Sequence, residues 1–291
     1  MSSTVAVEST ASPLGPEATA SGPGEARRLA SRLRGFDPLG VIGVVAIFVT
    51  WHVITAAQLV NPLYLPALTD IWDFSRENFF SSPLIAAQNL GNDGIWGGVL
   101  YSSTGVWLAL LISVAIGLPL GLVSARVVAL RMFSDPLLLT VSGVPILIIA
   151  PFFMVWFGPA RTTQLLLLIV FSTPVIYIYA QRAVDNLDPV YEANARVFGA
   201  SRAQVVRDVY PRGTLPEVLG GMRIALAGSW GLGAISELMG APQGVGKLIV
   251  SFASNTNVVA IWSVVLGLAV VAVLTDFLLL GLTRYLNRWM A

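Results

Sequence analysis

Six stretches of this chain are long and apolar enough to cross a lipid bilayer, and nothing else in the sequence restricts its folding as severely. They lie at 38–59, 98–125, 137–157, 162–182, 216–239 and 258–280. A helix needs roughly 20 mostly apolar residues to span the hydrocarbon. Within lipid every backbone polar group has to be satisfied inside the segment, so helices are expected at all six places. The composition agrees, with 55% hydrophobic and 11% charged residues, where a soluble domain carries about 25% charged. The expected fold is an all-α integral membrane protein with about six transmembrane helices.

Sidedness follows from the basic residues, because cytoplasmic flanks collect arginine and lysine. With the N-terminus inside, only Arg76, Arg161 and Lys247 of the 17 basic residues fall outside. Both ends are then expected in the cytoplasm. Residues 1–36 are rich in Ser, Ala, Pro, Gly and Glu and read as a disordered cytoplasmic tail, since they bury too little apolar surface to offset ordering. The run 38–59 is too long and starts too late for a signal peptide. The transmembrane domain is expected over 37–291.

Several function classes drop out. There is no cysteine and His52 is the single histidine, so no metal site is expected and His52 reads as structural. No paired-carboxylate or Ser/His/Asp pattern points to catalytic residues. No cofactor is expected, and a net charge of +1 gives no basis for nucleic-acid binding. Residues Gly240 to Leu248 imitate a P-loop, but Ala241 stands where the first glycine belongs and Leu248 where the magnesium-binding hydroxyl belongs. That segment reads as a glycine-rich loop dipping back at the outer mouth.

Segment 61–97 holds enough proline and charge to read as an irregular exposed loop with one short helix near 69–80. Pro119 is expected to tilt or kink the second span. Gly117 and Gly121 have G-x-x-x-G spacing and Gly231 lies in a cluster of glycines, so these are candidates for close helix packing. Glu237 near the outer end of the fifth span is a gate or packing candidate, close enough to the interface to reach water. Asp276 reads as an interfacial group and Arg223 as an inner-surface anchor.

The connection between the fourth and fifth spans is long and ordered by local signals. Asp188-Pro189 is an N-cap followed by a first-turn proline, so a helix starts there and stops at Gly199. Ser201 and Gln204 have capping-box spacing, which starts a second short helix ending before Pro211. From the residues alone, 188–212 is either a docking element for another protein or a helix pair resting on lipid headgroups.

Glu192-Ala193-Asn194-Ala195, Gly199, Tyr210-Pro211 and Leu215-Pro216 resemble the EAA loop of permeases in binding-protein-dependent ABC importers. Gly199-Ala200-Ser201-Arg202, Gly221-Met222-Arg223 and Glu237-Leu238-Met239-Gly240-Ala241 are similar to its nitrate, sulfonate and taurine branch. The likeness covers roughly 60–290 and is strongest over 188–250. Glu192 stands one position further from Gly199 than the family's acidic residue, and Ala193 occupies that place. The resemblance implies a type I (MetI-like) permease without its own ATPase site, forming the channel for a small solute such as a sulfonate. Its implied partners are two copies of an ABC ATPase, a second permease copy and an extracytoplasmic or lipid-anchored binding protein. Glu192, Ala193, Ala195, Gly199, Ser201 and Arg202 would meet the ATPase, with Ala195 facing its groove. The rival class is a secondary transporter driven by an ion gradient, which would need ionisable residues or unwound helices near the midplane.

Overall fold

The computed structural model describes residues 38–288, and every described element is helical. The tail expected over 1–36 lies outside the described residues. The first apolar run forms α1 (Pro38–Ala56). It straddles the end of an N-terminal unit that closes at Val53 and is described by itself.

The unit from Ile54 onward opens with two short helices where one was expected: α2 (Leu68–Asn78) and α3 (Pro83–Ala87). Ser82 starts α3 by accepting the Ile85 amide while Pro83 takes the first position, where no amide is needed. The remaining elements are α4 (Gly94–Ser124), α5 (Val128–Gly143), α6 (Ile146–Phe157), α7 (Arg161–Asp185), α8 (Pro189–Val197), α9 (Arg202–Gln204), a π turn (Val205–Val209), α10 (Tyr210–Gly213), α11 (Leu215–Leu238), α12 (Val245–Ser254) and α13 (Val258–Leu286). α4 runs on through Pro119 rather than ending there.

Four of these helices, α4, α7, α11 and α13, are long and apolar enough to span a membrane. Among the described residues a fifth crossing is available through α5 and α6, which meet at a bend of 96°. The single straight span expected over 137–157 is therefore corrected to a broken pair. Val144 takes an extended conformation ahead of Pro145, as steric contact with a following proline ring demands, and Pro145 has no amide to continue the ladder.

The center of the unit is α4 against α7, with α11 laid across α7. Gly117 and Gly121 make the first approach possible, as expected. A Cβ on Gly117 would stand 2.8 Å from the Thr173 carbonyl oxygen, and one on Gly121 would stand 2.6 Å from that of Tyr177. Gly221 and Gly228 do the same for α11, resting on the Tyr179 and Phe171 side chains of α7. Gly231 differs from the packing expectation: it is exposed, and nothing within 4 Å would meet a side chain there. Val106, Leu110, Leu168, Ile176, Leu226 and Trp230 fill the space between these helices. Ser172 and Ser229 share a 2.9 Å hydrogen bond across it.

Candidate functional site

Two polar assemblies stand at opposite ends of the helical core. The first is the segment 188–213. Asp188 Oδ1 accepts the Val190 amide at 2.9 Å, and Pro189 opens α8. The helix is closed by Gly199 at φ +83°, a left-handed conformation that glycine takes without Cβ strain. The Gly199 amide then bonds the Arg196 carbonyl at 2.9 Å, and the Ala200 amide bonds that of Ala195 at 3.0 Å. This is a Schellman ending, which pairs the last carbonyls and usually brings an apolar contact with it.

That contact places Ala195. Ala195 and Ala200 pack against the buried cluster that includes Val205, Tyr210 and Val218, with Ala195 left half-buried. Ser201 and Gln204 form the capping box in full, at 3.3 Å and 2.7 Å. The second helical stretch does not end before Pro211. It widens into the π turn, with the Tyr210 amide reaching the Val205 carbonyl, and this wider turn carries the chain past the proline, which offers no amide.

Glu192 is also turned inward. Its carboxylate accepts from Tyr210 Oη at 2.8 Å and from Arg196 Nη2 at 2.5 Å, and lies 3.6 Å from Arg126 Nε. The Tyr210 hydrogen bond, reinforced by Arg196 and Arg126 against the opposing effect of burial, holds the Glu192 carboxyl below the ordinary carboxylate range. Burial pushes the Tyr210 hydroxyl up, and Glu192 adds to this. Ala193, Gly199, Ser201 and Arg202 remain exposed. Beside them stand residues that sequence reasoning passed over: Phe198 is 90% exposed and Val197 82%. The signal available was two large apolar residues directly before the helix-ending glycine.

The second assembly surrounds Glu237. The expectation that this side chain reaches water fails, since it is fully buried. Its carboxylate accepts from Ser102 Oγ of α4 at 2.8 Å, Gln164 Nε2 of α7 at 2.6 Å and the Gly246 amide of α12 at 2.9 Å. Ser102 Oγ accepts the Val245 amide in turn, at 3.0 Å. A Cβ on Gly244 would stand 2.4 Å from Glu237 Cδ, and one on Gly246 would stand 2.3 Å from the Ala234 carbonyl oxygen. The P-loop look-alike thus uses glycines and the first amides of α12 to hold an acidic group, but that group is the protein's own Glu237.

Arg223 and Asp276 are likewise not separate interfacial groups. Two hydrogen bonds of 2.8 Å and 2.6 Å join them and tie α11 to α13.

The family model for binding-protein-dependent transport system inner membrane components matches residues 117–291, and the chain belongs to that family. It is 31% identical to the taurine transport system permease protein TauC of Escherichia coli (strain K12), over 85% of this chain and 88% of that one. It is 26% identical to the putative aliphatic sulfonates transport permease protein SsuC of Bacillus subtilis (strain 168), over 86% and 87% respectively. A solved inward-facing structure of the MetNI methionine ABC transporter matches with a TM-score of 0.58 at 22% identity, covering 65% of this chain and 94% of that one. The fold is thus MetI-like, and the chain is a permease subunit of an ATP-driven ABC importer, which sets the ion-gradient rival aside.

Proposed function

We propose that this chain, paired with a second permease subunit, lines the path of an importer for a small organic anion of the sulfonate class. We further propose that 188–213 is where each of two ABC ATPase subunits docks, and that an extracytoplasmic or lipid-anchored binding protein delivers the solute. The substrate class rests on the taurine and sulfonate relatives. The docking assignment is carried by one observation: an apolar tip, Val197 and Phe198, projects almost fully exposed from a segment whose Ala195, Ala200 and Val205 pack inward, with Val190 and Tyr191 beside it more than half exposed. The charge distribution puts this segment in the cytoplasm, where an apolar tip of this kind suits a protein groove.

In this reading Phe198, Val197, Ala193 and Arg202 meet the partner. Gly199 sets their position through its left-handed turn, Glu192 and Ala195 brace the turn from its inner side, and Ser201 caps the stretch that follows. The ATPase then hydrolyses nucleotide while this chain transmits the movement.

The test is Phe198→Asp in the chain reconstituted with its own ATPase and receptor, with taurine as the probe solute. ATPase activity stimulated by the loaded receptor should fall at least about tenfold, as for loss of an interface hot spot worth ~1.4–2 kcal/mol, while the amount of chain in the membrane stays unchanged. Undiminished stimulation refutes docking at this tip. Stimulation by solutes other than taurine and alkanesulfonates alone refutes the substrate class and leaves docking intact.

A further inference from the structure

The bent arm formed by α5 and α6 is fastened to its own chain mainly by polar groups. Ser134 is the buried residue of α5 and Ala150 that of α6. Met132, Phe133, Val155 and Trp156 all have more than two-thirds of their surface exposed. Apolar burial inside the subunit therefore does little to hold the arm. Asp135 supplies the anchor. It accepts a short hydrogen bond from Tyr177 Oη and one of 2.9 Å from Gln181 Nε2, both on α7. Ser134 shares a 2.8 Å hydrogen bond with the same phenol, which is fully buried.

From this anchor a row of alternating charges leads back to the docking segment. Arg131 Nε lies 3.4 Å from Asp135 Oδ2, and its Nη2 lies 3.3 Å from Asp185 Oδ2 at the end of α7. Asp185 Oδ1 is 3.7 Å from Arg126 Nη1. Arg126 Nε donates to Tyr210 Oη at 3.0 Å, and that hydroxyl donates to Glu192 of α8. Arg126, Asp185 and Arg131, the interior members, thus face opposite charge on both sides.

We infer that the row Glu192–Arg126–Asp185–Arg131–Asp135 passes movement of the docking segment to the arm, with its four members from Arg126 to Asp135 acting as positioning residues. The inference rests on the docking reading of 188–213. Between 27% and 41% of each of these four side chains is exposed. Pairs exposed to that degree add little stability and exchange partners readily, so the row can shift without unfolding the domain. The arm can respond because it is already broken at Val144–Pro145: rotation of α5 about the Asp135 anchor swings α6, which is set at 96° to it. A contiguous row of contacts ending on a jointed element is a physical route for coupling.

Because the chain has no cysteine, Val190→Cys, exposed in the docking segment but outside the four contact residues, and Val155→Cys each give a single labelling site on this chain. In the full complex with its ATPase, in vesicles, a probe at 190 reports docking through protection from a water-soluble quencher. A probe at 155 reports arm movement on trapping with ATP and vanadate. With Asp185→Asn, and separately with Arg131→Gln, protection at 190 should persist while the trapped-state change at 155 shrinks about 2- to 30-fold. Asp185→Glu should retain it. A full response at 155 in both neutralised variants overturns the relay, as does loss of assembly in both, which would make these pairs structural. Absence of protection at 190 in the parent complex overturns the docking reading instead.

Discussion

The outer and inner ends of this permease are both held by a carboxylate on a helix, and they are held in opposite ways. Glu237 is sealed among Ser102, Gln164 and the Gly246 amide with no exposed surface. Glu192 sits in a half-open cluster whose partners Arg126 and Arg196 are 40% and 51% exposed. A buried, fully hydrogen-bonded carboxylate is costly to disturb, because each partner it leaves unpaired keeps its desolvation penalty. An exposed cluster is screened and adjustable. The Glu237 assembly is therefore a fixed clasp joining α4, α7, α11 and α12, and the Glu192 cluster is the looser of the two, which suits the docking role proposed for 188–213.

The sharpest way to break this contrast is Glu237→Leu. It strands the Gln164 side-chain amide and the Gly246 backbone amide, and should lower stability in detergent by ~3–5 kcal/mol, read as a large drop in unfolding temperature. A loss no greater than that of a surface substitution would mean the clasp is not one.

Two glycines test the same contrast more finely. Gly244 has φ +109° and its added Cβ would collide with Glu237, whereas Gly199 has φ +83° and open space around it. Gly244→Ala should cost about 2–3 kcal/mol through combined backbone strain and collision, and Gly199→Ala about 1–2 kcal/mol through backbone strain alone. Only the second should impair stimulation of the ATPase out of proportion to stability, and thermal unfolding alongside ATPase assays would separate them.

The smallest effect concerns acid. The folded-state carboxyl of Glu192 titrates below its unfolded value, so its contribution is complete above the ordinary glutamate range and is lost as pH falls through the folded value. Tyr210→Phe removes the leading cause of that shift. It should cost about 1 kcal/mol at neutral pH and flatten the loss of stability on acidification, measured by unfolding at a series of pH values. An unaltered acid limb would show that Tyr210 does not hold Glu192.

Much of this was legible in the sequence because its causes are local. The Asp188-Pro189 start, the stop at Gly199 and the Ser201–Gln204 box depend on side chains bonding backbone within a few residues, and all three occur as spelled. Gly117 and Gly121 were legible as a packing face for a similar reason, since their spacing puts both on one side of α4. The break at Val144–Pro145 was also written locally, but a continuous apolar run concealed it. Hydropathy reports length and says nothing of direction.

The placement of side chains was a different matter. Ala195 faces inward, Glu237 is caged, Arg223 meets Asp276 across 53 residues and Asp135 finds Tyr177 across 42. No periodicity carries those pairings, because each depends on how two distant helices are rotated and offset.

By itself the sequence determined an all-helical membrane protein, the turns of its cytoplasmic segment and the glycines that let helices approach. These follow from hydrophobic length, capping chemistry and backbone sterics, which act within one segment. Only the tertiary structure decided which charges were sealed in a cage and which were set in an open row. The energy of a carboxylate depends on what surrounds it in space, and those surroundings exist only once the helices have packed.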